Sequence, residues 1–167
     1  KDITFPMQRL ICNQLAYFQQ AMPDDFDLGG ASIGNLVLAG GYLNNYQHLD
    51  PILFLFSKLA NVQGTVRATV DQNLHLAARL KDGRHLIGQH LLTGKEVAPL
   101  TSAIDELFFT KDLFNFTPTT ACLDPKNQQL IASADLICYP PGSFYTSLLA
   151  NLMPTGVGAA IANNDCP

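Results

Sequence analysis

The sequence predicts an α/β fold, and three observations lead to this prediction. First, residues 135–139 form a short apolar run that Pro-Pro-Gly-Ser and a helical stretch follow at once, the strand–turn–helix order of doubly wound folds. Second, side chains within residues 65–90 alternate with period two, which predicts an antiparallel β-meander. Third, apolar residues recur at helical spacing before the meander. We take residues 1–167 as one domain with its own core.

The first third of the chain is predicted to be helical. One helix covers residues 7–21, and a second follows a glycine-rich polar segment. Gly40 and Gly41 lie inside this second helix, where each costs about 1 kcal/mol relative to Ala. Close packing against a neighbouring backbone is the expected compensation. A third helix is predicted to begin with Asp50 as N-cap and Pro51 in the first helical position.

The middle of the chain has the pattern of strands. Residues 65–70 and 74–80 each alternate in polarity, Asp82-Gly83 is a hairpin turn signal, and residues 84–90 are predicted to form the return strand. The pattern then weakens as far as residue 121, where we expect a long connection with one short strand.

Helices return in the last third. Asp124-Pro125 repeats the pattern of an N-cap followed by proline and predicts a helix to about residue 133. Two further helices are predicted at residues 144–152 and 157–162, after the apolar run.

Composition excludes several classes of function. The net charge is −4, and Lys and Arg form no basic run, so we expect no nucleic-acid partner. The longest strongly apolar run, residues 52–56, is far too short to cross a bilayer. The N-terminus has no signal-peptide pattern, and the four cysteines form no CxxC pair. We therefore predict a cytoplasmic protein with reduced, buried thiols and no membrane partner.

The turn after residue 139 is the strongest candidate for a binding site. Ligands of open α/β sheets bind at the carboxyl ends of strands, and the start of the next helix favours an anion. Gly142 would let a ligand approach the backbone, and Ser143, Tyr145 and Thr146 could contact it. The simpler interpretation is a turn with Ser143 as N-cap. Spacing alone favours this simpler interpretation, because Ser is a common N-cap.

A second glycine-rich helix start admits the same two interpretations. Gly30, Ser32, Gly34 and Asn35 could cradle a phosphate or position a sugar, or they could form only a capped turn. The segment matches neither G-x-G-x-x-G nor the P-loop pattern.

Other polar residues give weaker signals. A divalent cation could bind to the acidic residues Asp24, Asp25 and Asp27. A solvated acidic loop is the favoured interpretation. The predicted strands carry three histidines, His75, His85 and His90. Alternation places His85 and His90 on opposite faces of one strand, so a three-His metal site is not expected. No residue is identifiable as a nucleophile or general base, and catalytic residues stay unassigned.

Three ordered motifs carry a family resemblance. Residues 141–152, PGSFYTSLLANL, preceded by Ala-Asp-Leu-Ile, resemble the ADxIVxGPGSLYTSxxxNL signature of CofD/YvcK-like proteins. Residues 30–36, GASIGNL, are similar to the GHSLGNL motif of that family. Residues 59–64, LANVQG, followed by the strands and Lys81-Asp-Gly83, resemble its LNVxGxV…EDG region.

The resemblance implies a Rossmann-like three-layer fold and a nucleotide-diphosphate ligand, and it leaves two functions open. One is a regulatory protein of the YvcK type that binds a UDP-sugar and acts in cell-envelope or carbon metabolism. The other is a transferase of the 2-phospho-L-lactate type, which uses Mg²⁺ to move a phospholactyl-type group from a guanosine diphosphate donor to a deazaflavin. The regulatory type needs no cofactor. Because no general base is evident, binding without turnover is the favoured interpretation, and association into a homo-oligomer is left open.

The sequence departs from the family pattern at several points. Ala31 stands where the family has His, and Tyr139-Pro-Pro-Gly-Ser143 replaces Leu-Gly-Pro-Gly-Ser. A third, uncharacterised subgroup is therefore an open alternative. The glycine-rich GGGTG-type loop at the start of the family fold and its last parallel strands have no counterpart here. We therefore expect a partial CofD-like domain, a fragment of the fold.

Overall fold

The structure is a computed structural model that describes residues 3–93 and 98–167. Its residues form two compact units, 1–68 and 69–167. The prediction of one domain stays a prediction.

The first unit contains the three predicted helices: α1 (Phe5–Ala21), α2 (Ile33–Asn44) and α3 (Asp50–Leu59). A Cβ on Gly40 would collide with the backbone carbonyl oxygen of Gln14 in α1, and a Cβ on Gly41 would collide with the side chain of Ile52 in α3. The glycines therefore allow the close helix packing that the sequence predicted. The predicted N-cap of α3 is wrong by one residue, because Asp50 lies inside the helix and Leu49 is the N-cap.

The second unit contains an antiparallel sheet in the order β2-β1-β3, formed by β1 (His75–Leu80), β2 (His85–Ile87) and β3 (Ile104–Thr110). Three buried side chains from the three strands pack together on one face: Ala77, Ile87 and Phe108. Gly83 has a φ of 86° in the turn between β1 and β2, which confirms the predicted hairpin. The one short strand expected after the hairpin is β3.

Two strand predictions in the middle of the chain are wrong. Residues 65–70 form no strand, because alternation favours an extended chain but a strand also needs a paired neighbour. In the second unit, the carbonyl oxygen of Thr69 instead accepts a hydrogen bond of 3.3 Å from the side chain of Asn127. The return strand ends at Ile87, and His90 belongs to a short helix, α4 (Gln89–Thr93). Gly88, with a φ of 104°, marks the change of direction.

The last third of the second unit is helical, as predicted. Helix α5 (Pro125–Ala132) begins after Asp124, whose carboxylate accepts a hydrogen bond of 2.8 Å from the backbone of Lys126. A π-helical segment (Phe144–Leu149) continues into α6 (Ala150–Leu152), and α7 (Val157–Ala162) follows. A buried cluster joins the segment before α5 to α7: Leu123, Val157 and Ala160.

The apolar run at residues 135–139 is not the doubly buried strand that the sequence predicted. Leu136 is 60% and Tyr139 53% exposed. The backbone N–H of Ile137 donates a 3.0 Å hydrogen bond to the carbonyl oxygen of Pro167. The side chain of Asn164 donates to the carbonyl oxygens of residues 131 and 134, so the chain after α7 runs parallel to this segment. Ile137 is half-buried, but the run belongs to no sheet among the described residues.

The four thiols are more accessible than the sequence predicted. Cys12, Cys122 and Cys138 are exposed and Cys166 is half-buried, so the expectation of buried thiols is wrong, although all four are free. Within the described residues, no helix combines the length and the apolar character that a membrane span needs.

Candidate functional site

The Gly142–Thr146 turn lies in the second unit, and its geometry is that of a capped helix start. Ser143 Oγ accepts a hydrogen bond of 3.3 Å from the backbone N–H of Thr146. The carbonyl oxygen of Ser143 accepts from Ser147 at 3.0 Å and from Leu148 at 3.1 Å, and the second bond gives the segment its π-helical winding. The simpler interpretation of Ser143 as an N-cap therefore holds, and its hydroxyl proton still remains available to a ligand.

Two backbone donors at this turn have no acceptor in the described part of the chain. They are the N–H groups of Phe144 and Tyr145, which precede the first bonds within the helix. Their side chains are exposed and their rings lie edge to face, with 5.3 Å between the centroids. The free N–H groups and the positive end of the helix dipole favour an anionic ligand.

The side chain of Thr146 is the unusual feature of the turn. It is only 9% exposed, and its hydroxyl Oγ1 has no hydrogen-bond partner among the described residues. A buried polar atom without a partner costs about 1–3 kcal/mol, so such atoms are rare and call for an explanation. A small shift of the turn would open this atom to a ligand oxygen, which would then supply the missing partner.

Gly142 also has a packing role. A Cβ built on this residue would lie 3.2 Å from the Cβ of Ser147, closer than real contacts normally are. Glycine is therefore required to bring the turn against the helix that follows it. This packing role does not exclude ligand contact.

A cavity of about 300 Å³ borders the turn on its other side. Its walls are mostly apolar, with Ile137, Pro141 and Leu148 among the lining residues. The polar wall of the cavity includes Ser147 and Asn151, which belong to the 141–152 motif and lie four residues apart on one helical face, a spacing that could have identified them from the sequence. The polar groups of this wall bond to one another: Thr69 Oγ1 donates to Asn151 Oδ1 and Asn151 Nδ2 donates to the carbonyl oxygen of Ser147, both at 2.7 Å.

The second predicted site lies in the first unit, at the start of α2. Gly30 has a φ of 75°, so the preceding turn needs a residue that tolerates the left-handed region. Ser32 is the N-cap but its side chain makes no capping bond, and its carbonyl oxygen accepts the first helical bond from Leu36 at 3.0 Å. The N–H groups of residues 33–35 have no acceptor among the described residues, and Ser32 and Asn35 are exposed. Gly34 is half-buried, with Phe56 beside it.

The acidic loop before α2 makes local contacts. Asp27 Oδ1 accepts a 2.7 Å hydrogen bond from the N–H of Gly29, which closes the turn. Within residues 3–93 and 98–167, no three His, Cys, Asp or Glu side chains lie together in a way that could hold a metal ion.

A comparison with protein families matches almost the whole chain. The model described as "2-phospho-L-lactate transferase CofD" covers residues 6–167. The chain belongs to the CofD family. This membership confirms the resemblance that the three motifs predicted.

The relatives found within the CofD family are longer proteins. The chain is 32% identical over 152 residues to the gluconeogenesis factor of Listeria monocytogenes, covering 90% of this chain and 42% of the relative. It is 30% identical over 146 residues to the gluconeogenesis factor of Bacillus subtilis, covering 86% and 41%. The chain therefore spans about two fifths of the length of these relatives.

A solved structure supports the fold. A crystal structure of a UPF0052 family member from Bacillus halodurans superposes with a TM-score of 0.66 at 24% identity, covering 99% of this chain and 47% of that one. The predicted α/β class is thereby confirmed.

Proposed function

We propose that this CofD-family chain belongs to a protein that binds a nucleotide diphosphate of the UDP-sugar or GDP type, with the phosphates at the Gly142–Thr146 turn. The observation that carries the proposal is the buried Thr146 hydroxyl without a partner beside free backbone donors. A phosphate is rich in acceptor oxygens and suits both kinds of donor.

The cavity next to the turn supports a ligand larger than phosphate. About 300 Å³ is enough for a sugar or a ring, at the lower end of the usual range for small-molecule sites. In this proposal the apolar wall receives the less polar part of the ligand, while Ser143 and Thr146 hold the phosphates.

A regulatory role in cell-envelope or carbon metabolism is the preferred biological setting. Relatives over most of this chain are called gluconeogenesis factors, a name that describes a metabolic effect rather than a reaction. The proposal also keeps the predicted cytoplasmic location, which stays a prediction.

The alternative function is group transfer. The matching family model is described as a 2-phospho-L-lactate transferase, and this description favours a phospholactyl-type transfer from a nucleotide diphosphate to a deazaflavin-like acceptor. Mg²⁺ belongs to this alternative only. Catalysis would rest on positioning and on electrostatic stabilisation of the phosphates.

Isothermal calorimetry with GDP and with UDP-N-acetylglucosamine, each with and without Mg²⁺, tests the proposal and separates its branches. Tight binding of the UDP-sugar without Mg²⁺ supports the regulatory type, whereas Mg²⁺-dependent binding of GDP supports the transferase. The absence of binding heat with both nucleotides would contradict both the regulatory and the transferase function.

Substitutions at Ser143 then locate the site. Ser143→Trp should abolish binding while leaving the circular dichroism spectrum unchanged, because the side chain is only half-buried. Ser143→Ala, which removes one hydrogen bond to an ionised group, should weaken binding about tenfold. Ser133→Trp, at an exposed position at the end of α5, is the matched control. Unchanged affinity in Ser143→Trp would rule out this turn as the binding site.

A further inference from the structure

A second cavity lies in the first unit, between α3 and the segment that follows it. The chain reverses at Asn61, which has a φ of 52°, and the N–H of Val62 donates a 2.9 Å hydrogen bond to the carbonyl oxygen of Ser57. The next residues run back along α3, so that Arg67 comes within 4.0 Å of Asp50 at the start of the helix. We call the space between them the α3 cleft. Its volume is about 330 Å³, within the range of small-molecule sites.

The helical wall of the α3 cleft is a face that does not belong to the core. Its residues recur at helical spacing: Asp50, Phe54, Ser57 and Lys58. Phe54 on this face is 67% exposed, whereas Ile52 on the opposite face is 1% exposed. The Phe54 ring therefore presents a flat apolar surface to the cleft.

The α3 cleft contains a cation that has no carboxylate partner among the described residues. Both Lys58 and Arg67 line the cleft, and Arg67 pairs with Asp50. Lys58 Nζ lies 5.4 Å from the centre of the Phe54 ring and has no carboxylate in ion-pairing range in residues 3–93 and 98–167. The ammonium group of Lys58 therefore attracts negative charge to the cleft.

The opposite wall of the α3 cleft supplies backbone donors. The N–H groups of Gly64, Thr65 and Val66 have no acceptor in the described part of the chain, because the predicted strand here is unpaired. Gly64 has nothing within 4 Å of the position that a Cβ would take, so a ligand can reach its backbone. The hydroxyls of Ser57 and Thr65 also line the cleft.

We propose that the α3 cleft binds a phosphate ester, with the phosphate between Lys58 and the backbone of residues 64–66 and the organic portion on the Phe54 ring. The Lys58 ammonium group, the backbone N–H groups and the hydroxyls all suit phosphate oxygens. The aromatic face explains why an ester is preferred over inorganic phosphate. This site shares no residue with the Gly142–Thr146 turn, so its test is independent of the proposed function.

The test is an NMR titration of the full chain with inorganic phosphate and with phenyl phosphate, followed through the assigned backbone amides. Saturable shifts at Gly64 and Thr65, with tighter binding of phenyl phosphate, are expected. Lys58→Gln should weaken the binding of phenyl phosphate about fivefold, which is the effect of losing one exposed charge contact. Phe54→Ala should remove the preference for phenyl phosphate.

Lys81→Gln is the control, since it removes the same charge from the exposed β1–β2 hairpin. It should leave the affinity unchanged. Equal weakening by Lys58→Gln and Lys81→Gln would show that only the overall charge matters, and would overturn the proposal. Shifts confined to residues 142–146 or to the start of α2, or no saturable shift, would overturn it as well.

Discussion

Ser143 Oγ accepts a hydrogen bond from the backbone N–H of Thr146, while the hydroxyl of Thr146 itself has no partner in the described part of the chain. In a regular helix a Thr hydroxyl can donate to the carbonyl oxygen four residues earlier. Here that residue is Gly142, which lies before the helix begins. The turn thus satisfies the backbone donor of Thr146 locally and leaves its hydroxyl without a partner among the described residues.

Thr146→Val separates stability from binding. The substitution keeps the shape of the side chain and removes the hydroxyl, so the free energy of unfolding should rise by about 1 kcal/mol. Affinity for the nucleotide should fall about tenfold, because the ligand loses a hydrogen-bond partner. Urea denaturation measures the first effect and calorimetry the second.

Thr146→Ser is the matched control for this pair of measurements, since it retains the hydroxyl and should retain most of the affinity. If Thr146→Val binds as tightly as the unsubstituted chain, the hydroxyl does not contact the ligand.

Local signals in the sequence were reliable at two positions, whereas the Asp-Pro signal at Asp50 misplaced the N-cap of α3 by one residue. The cap at Asp124 and the hairpin turn at Gly83 were both predicted correctly, because a cap or a turn depends on a few adjacent residues. Helices α1 and α2 followed from periodicity.

Strands were less predictable, because a strand needs a neighbour that may lie far away in sequence. Residues 65–70 and 135–139 have the composition of strands, yet neither segment belongs to a sheet. Strand β3 pairs with β1 across a long connection that carries no pattern. In the candidate site, Gly142 and Ser143 were recognisable from the motif, whereas the burial of the Thr146 hydroxyl depends on packing and could not be predicted.

Gly40→Ala should be strongly destabilising. Its methyl group would collide with the carbonyl oxygen of Gln14, and backbone cannot move aside easily. We expect a loss of about 1–3 kcal/mol in the free energy of unfolding, as for other overpacked sites. Gly158→Ala in α7 is the control, because nothing lies within 4 Å of its Cβ position; it should stabilise by about 0.5–1 kcal/mol. Similar results for the two variants would mean that α1 and α2 do not pack as described.

Asp124→Ala should weaken the start of α5. The carboxylate accepts a 2.8 Å hydrogen bond from the N–H of Lys126, and losing an N-cap costs about 1 kcal/mol. Thermal denaturation followed by circular dichroism measures the loss. Asp135→Ala removes the same charge from an exposed residue outside the helices and should change stability by less than about 0.5 kcal/mol. An equal effect at both positions would point to net charge rather than capping.

The β1–β2 hairpin should make a small pH-dependent contribution to the free energy of unfolding. The hydrogen bond from the Arg84 side chain, supported by the N–H of Arg84, holds the pKa of Asp82 below its ordinary value. The ionised carboxylate therefore stabilises the folded state above the ordinary pKa of Asp, and this contribution is lost as the pH falls through the lowered pKa. Because both groups are fully exposed, the term should be small and should shrink further in high salt.

The substitution Arg84→Ala isolates the pH-dependent contribution of the Asp82–Arg84 pair to stability. The pKa of Asp82, followed through its carboxyl carbon by NMR, should rise towards the ordinary value in the variant. The difference in unfolding free energy between the unsubstituted chain and Arg84→Ala should be larger at neutral pH than at the acid end of the titration. Arg84 also donates to Thr101 Oγ1 at 2.9 Å, and this contact does not titrate, so it contributes equally at every pH. A difference that stays constant across the acid range would show that the Asp82–Arg84 pair adds nothing to stability.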